Sequence, residues 1–126
     1  MNSLLNSFEK EVKVRGIKAF LDFIVASILL KENCGGYEIL AKIHENLGVL
    51  LSPGVLYPTL HEMEKKGLVR VEKVGRKKIF SITDKGVNWH EEMLKASTKI
   101  FDVVAFFVLQ EKKPHEKIIV TLDSIE

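Results

Sequence analysis

Cysteine is nearly missing from this chain: Cys34 stands alone. One thiol excludes an intrachain disulfide framework and points to a reducing cytoplasm. Long apolar runs are missing too. Ile17 to Leu30 is apolar but short, and Lys18 and Asp22 interrupt it. A bilayer span needs roughly 20 apolar residues, so this stretch reads as a buried core helix. Met1 to Arg15 mixes Glu9, Lys10, Glu11 and Lys13 into any apolar run and does not read as a signal peptide. Catalytic patterns are also wanting. The histidines 44, 61, 90 and 115 are each followed by Glu, but none has a second ligand at metal-binding spacing. There is no serine elbow, phosphate loop or dinucleotide fingerprint. The expectation is therefore no enzyme, no metal and no cofactor. The net charge of +2 by itself says nothing about nucleic acid.

What is present is globular. The chain has 126 residues, 46% hydrophobic and 29% charged, enough for one small domain plus a dimerisation segment. Leu4, Leu5, Phe8 and Val12 fall on one helical face, with Gly16 placed to interrupt that helix. Ala19–Leu30 reads as a second helix, ended by the turn residues Asn33–Cys–Gly–Gly36. Tyr37–Leu47 reads as a third, with Gly48 just past its end. Val49–Leu51 is too short for a helix and fits a strand stub or a turn. Ser52 is a good N-cap and Pro53 a good first helical residue for a helix running to Lys66 and stopping at Gly67. In it Leu56, Leu60 and Met63 face the core, while Val55, Pro58, His61, Glu62 and Lys65 lie largely opposite. Pro58 removes one backbone hydrogen bond, to the Gly54 carbonyl, and predicts a slight bend.

Charge is unevenly spread. From His61 to Gly86 there are eight Lys/Arg against four acids, which leaves the rest of the chain at −2. Leu68–Val74 and Lys78–Thr83 are strand-like around a turn at Gly75–Arg–Lys77, and this hairpin carries Arg76, Lys77 and Lys78 in a row. Thr83 or Asp84 should cap a last long helix, about Lys85–Gln110. It is apolar on nearly every side from Ile100 to Leu109, more than one small domain covers. In the tail, Ile118, Ile119, Leu122 and Ile125 keep helical spacing, though their β-branched content leaves a strand open. The fold class expected is mostly α with a small β-hairpin. A short helix beside a basic β-wing is the layout of a winged helix-turn-helix.

The run Gly36–Tyr–Glu–Ile39, then Ser52–Pro–Gly–Val–Leu–Tyr–Pro–Thr–Leu60, Glu64–Lys–Lys–Gly–Leu68, the basic hairpin and Ile82–Thr–Asp–Lys–Gly86 resembles the PadR family of transcriptional regulators. The resemblance covers about residues 19–86. It implies a winged-helix DNA-binding domain over 17–86, a C-terminal dimerisation helix and tail over 87–126, and a repressor acting as a homodimer on palindromic double-stranded DNA. Residues 1–16 form a separate N-terminal segment, a candidate dimerisation helix. Residues 52–65 would be the recognition helix, Tyr57 the family's tyrosine near the DNA backbone, and 75–78 the wing tip. The family often has Thr where this chain has Val55, and His where it has Gly35.

The DNA-facing candidates are Tyr37, Ser52, Gly54, Val55, Tyr57, Pro58, His61, Lys65, Lys73, Arg76, Lys77 and Lys78. Each has an ordinary alternative. The three cations could be a solvated hairpin tip, Tyr57 a packed ring, His61 a surface histidine and Ser52 simply a cap. Gly54, Val55, Pro58 and Thr59 offer little bidentate hydrogen bonding, so operator shape should carry much of the specificity. Dimer candidates are Phe8, Phe20, Trp89, Met93, Ile100, Phe101, Val104, Phe107 and Val108. Trp89, Phe101, Phe106 and Phe107 also leave open a pocket for a small aromatic effector, although aromatics on such a helix ordinarily make plain interface. The rival function class is a winged-helix protein-interaction module without DNA binding.

Overall fold

The computed structural model describes residues 2–110, with side chains from residue 6 onward. The spacing of Ile118, Ile119, Leu122 and Ile125 lies outside the described residues. In chain order the elements are α1 (Asn2–Ala19), α2 (Leu21–Lys31), β1 (Cys34–Gly35), α3 (Gly36–Leu47), α4 (Pro53–Lys65), β2 (Val69–Val74), β3 (Lys77–Ile82) and α5 (Asp84–Gln110). The chain divides into two compact units, Met1–His90 and Glu91–Glu126.

The expected break at Gly16 does not occur. A glycine inside a helix costs only about 1 kcal/mol, and Val14 and Ile17 on either side of it pack on the core. The irregularity falls instead at Phe20 (φ −115°, ψ 27°), with the bonds Phe20 N–Gly16 O and Ile24 N–Phe20 O kept on both sides. α2 buries Leu21, Val25, Ala26 and Leu29, α3 buries Ile39, Leu40 and Ile43, and α4 buries Leu56, Leu60 and Met63. These spacings of three and four residues place one apolar stripe per helix against a shared centre. Gly48 ends α3 in the left-handed conformation (φ 70°), which only glycine adopts without strain. Residues 49–51 form neither helix nor strand; Val49 and Leu51 are buried, and Leu50 is exposed. α4 runs unbroken through Pro58.

The sheet has three antiparallel strands in the order β1–β3–β2. Residues 33–36, expected as a turn, supply its third strand through Cys34 opposite Phe80 and Gly35 opposite Ile79. The cause is tertiary: β3 offers an unpaired edge, and glycine lets the backbone approach it. A β-carbon on Gly35 would stand 3.3 Å from the Lys78 carbonyl oxygen. The hairpin is tighter than expected. Val74 pairs with Lys77, so the loop is Gly75–Arg76 and Lys77 belongs to the strand. Gly75 has φ 64° and no non-glycine residue has positive φ among those described, which is the pattern of a type II′ hairpin turn.

Thr83, not Asp84, caps α5. Its hydroxyl oxygen accepts from the Gly86 amide at 3.0 Å, and its hydrogen faces the Gly67 carbonyl at 2.6 Å. One side chain thus joins the end of β3, the approach to β2 and the start of α5. At the first turn of α5, Gly86 lies directly on the Leu68 backbone, and a β-carbon there would run into the Leu68 carbonyl and the Ile82 side chain. His90 is tied to α2: Ser27 Oγ donates to the Phe23 carbonyl at 2.9 Å, leaving its lone pairs for His90 Nε2–H at 2.8 Å.

Gly86→Ala should lower stability by about 1–3 kcal/mol, because the obstructing group is a backbone carbonyl. Gly16→Ala meets open space and should be neutral or stabilising by up to about 1 kcal/mol. Thermal melts of the two variants check this, and equal melting temperatures would contradict the packing.

Candidate nucleic-acid interface

Three elements bring the expected residues together. α4 presents its open side through Gly54, Tyr57, Pro58, His61 and Lys65, all exposed. The start of α3 presents Tyr37, 72% exposed. The wing presents Lys73, Arg76, Lys77 and Lys78, all exposed.

Tyr57 is the centre of this arrangement. Its ring lies on the backbone of Gly36, and a β-carbon on Gly36 would occupy the space of the phenol oxygen and its ring carbon. The ring is therefore packed, yet the residue remains 37% exposed. A cleft of about 400 Å³ opens beside it, lined by Gly35, Gly36, Tyr37 and Glu38 on one side and by Arg76, Lys77 and Lys78 on the other. A second cleft, of about 200 Å³, runs from Tyr57, Leu60, His61 and Glu64 to Val71, Lys78 and Phe80. Glu38 is not a free charge in this region: its carboxylate accepts the Gly35 amide at 2.8 Å, closing the start of α3.

The wing's register gives its cations a direction. Val69, Val71 and Lys73 share a face with their partners Ile82, Phe80 and Lys78. The first two pairs pack in or on the core. The third pair continues that same face outward as two lysines directly opposite each other. Like charges across a strand pair are destabilising, and an anion between or above them relieves the repulsion. Lys77 alternates to the other face, and Arg76 sits in the turn.

Other candidates are placed differently. Val55 is half-buried and packs on the core, so its missing hydroxyl matters less for an outward contact. Ser52 occupies the N-cap position (φ −87°, ψ 155°), but its hydroxyl makes no cap bond; its carbonyl accepts from the amides of Val55 and Leu56 at 3.0 and 3.2 Å. Cys34 is fully buried, and burial pushes its thiol pKa up, away from thiolate reactivity. Among the described residues no cluster of His, Cys, Asp and Glu could hold a metal ion. Of the dimer candidates, Trp89 packs on the core, Phe20 and Met93 are half-buried, and Phe8, Ile100, Phe101, Val104, Phe107 and Val108 are exposed.

Gly36→Ala should cost about 1–3 kcal/mol while Tyr57 is present and much less beside Tyr57→Ala. A double-mutant cycle in urea reads this coupling, and strictly additive effects would contradict the stacking of Tyr57 on Gly36.

The comparisons with known proteins agree with this geometry. The sequence profile described as "Transcriptional regulator PadR-like family" matches residues 25–92. The transcriptional regulator YqjI of Escherichia coli is 37% identical over 76 residues, covering 57% of this chain and 36% of its own length. The transcriptional activator GvpE1 of Halobacterium salinarum is 27% identical over 63 residues, 50% of this chain and 33% of its own. The chain thus spans about a third of each of these two curated relatives. Among solved structures, a transcriptional regulator from Clostridium thermocellum superposes with a TM-score of 0.70 at 21% identity, covering 75% of this chain and 98% of that one. A PadR family regulator from Clostridium difficile gives 0.63 at 27% identity, covering 71% and 98%. With more than half of its residues inside the family profile and a winged helix in its fold, the chain belongs to the PadR-like family of transcriptional regulators.

Proposed function

We propose that this protein binds double-stranded DNA as a homodimer, with α4 in the major groove and the wing on the adjacent phosphates, and that it represses transcription from a palindromic operator. The observation that carries the reading is the Lys73–Lys78 pair. It extends the core face of the wing past the core, and its Lys78 shares a cleft with Tyr57 and His61; a polyanion there would offset the repulsion. Lys77 and Arg76 widen the cationic tip, and the Tyr57 hydroxyl is held at its edge by a packed ring. Family membership supports the same reading.

The homodimer rests on α5. Ile100, Val104, Phe107 and Val108 form one stripe, each at least half exposed. An apolar stripe of this length is a partner surface, and a second copy of this chain supplies a matching one. Two-fold symmetry then places the two α4 helices in half-sites about one DNA turn apart, roughly 34–36 Å. Sparse bidentate chemistry on α4 leaves much of the specificity to DNA shape. A cytoplasmic location follows from this role. No described helix is long and apolar enough to cross a membrane.

DNA from upstream of the protein's own gene should bind saturably in fluorescence anisotropy and weaken steeply with salt. Arg76→Ala/Lys77→Ala/Lys78→Ala should flatten the slope of log K against log[salt] by about 0.9 for each phosphate that is no longer neutralised. No binding by the wild type at low salt would favour a protein-interaction module instead. Phe107→Glu should shift the sedimentation of the chain from dimer to monomer; an unchanged dimer would remove α5 from the interface.

A further inference from the structure

We infer that α1 is a second DNA-backbone contact, in which Lys10, Lys13 and Lys18 bind phosphates flanking those reached by α4 and the wing. This rests on the DNA-binding reading above and adds a surface to it. α1 precedes residues 25–92, the part matched by the family profile, so its cations lie outside the matched motif.

The surface is assembled from three places in the chain. Val14 and Ile17 seat α1 on the core. Around those anchors, Lys10 and Lys18 line a cleft of about 430 Å³ together with His44 of α3, Gly48–Leu51, the N-cap residue Ser52 and Val55 of α4. Lys13 lies next to one of its lining residues: its Nζ is 3.7 Å from where a β-carbon on Gly48 would stand. No acidic residue lines this cleft. None of the three lysines is in an ion pair among the described residues, whereas Arg15 on the same helix is paired with Glu11 at 3.3 Å. Lys18 also borders a neighbouring cleft that contains Asp22 and Glu62, again without an ion pair.

Solvated lysines on a helix are common, and position separates these from that ordinary role. Lys10 and Lys18 share their cleft with the end of α4 where the chain enters the recognition helix, beside Ser52, whose hydroxyl is not spent on a cap bond, and Lys13 adds its charge next to Gly48. A duplex with α4 in its groove brings its backbone past that end. Cations there gain the counterion-release term that dominates phosphate binding.

The test uses the full chain and a fluorescein-labelled random-sequence duplex, because phosphate contacts are independent of sequence. Lys10→Gln/Lys13→Gln/Lys18→Gln should flatten the salt slope by about 2.7 per bound protomer and weaken binding about tenfold at physiological salt, with the melting temperature unchanged. A charge-matched control, Lys31→Gln/Lys95→Gln/Lys99→Gln, should keep the wild-type slope. Wild-type slope and affinity in the α1 variant would overturn the inference and leave the DNA-binding reading standing. An equal reduction in both variants would overturn it as well, since net charge alone would then account for the effect. A wild-type chain that binds no duplex even at low salt would overturn the DNA-binding reading and this inference with it.

Discussion

The Tyr57 ring rests on bare backbone at Gly36, and the positions of α3, α4 and the wing all meet at that spot. Gly36 begins α3, so the stacking sets where α4 crosses it. One residue earlier, Gly35 pairs with Ile79 in β3, and its own lack of a side chain lets the Lys78 carbonyl come close. Residues 34–36 therefore hold the helix pair and the hairpin together through backbone, which has no rotamers to slip. The other end of the hairpin is held in the same manner. Gly86 lies on the Leu68 backbone, and Thr83 bonds across to Gly67 and Leu68. Two such clamps turn a hairpin that would be marginal alone into a rigid wing.

Rigidity matters because of the charges it holds. Lys73 and Lys78 face each other across the ladder, while the two pairs before them on that face, Val71–Phe80 and Val69–Ile82, anchor it to the core. The apolar pairs offset the repulsion of the charged one. A floppy hairpin would swing its cations apart; this one keeps Lys73 opposite Lys78, and Lys78 in one cleft with Tyr57 and His61. The lysine pair costs stability locally, and the proposed DNA contact would offset that cost.

Much of this is legible in the sequence, for physical reasons. α3, α4 and α5 carry apolar residues at helical spacing between strong punctuation: Gly48, Ser52–Pro53, Gly67 and Thr83 each end or start an element where expected. The hairpin shows through its β-branched runs and Gly75. What stays hidden depends on partners far away in the chain. Cys34–Gly35 has no strand pattern and pairs only because β3 presents an edge. Nothing near Gly36 or Gly86 announces that Tyr57 or Leu68 will sit on it. The break at Phe20 rather than Gly16 shows packing of Val14 and Ile17 overriding local propensity. The α1 cleft is invisible in the sequence because its walls come from separate helices, although Lys10, Lys13 and Lys18 flank Val14 and Ile17 at helical spacing. The recognition-helix candidates are legible as a motif, and the structure adds that Val55 is held inward while Tyr57, Pro58 and His61 look out.

The central claim is that the open side of α4 and the wing form one surface for duplex DNA. Titration of the 15N-labelled protein with duplex, followed by amide chemical shifts, tests it most directly. The amides of Tyr37, Gly54, Tyr57, His61 and 73–78 should shift together along one saturation curve. Shifts confined to α5, or a wing that stays silent while other regions respond, would contradict it.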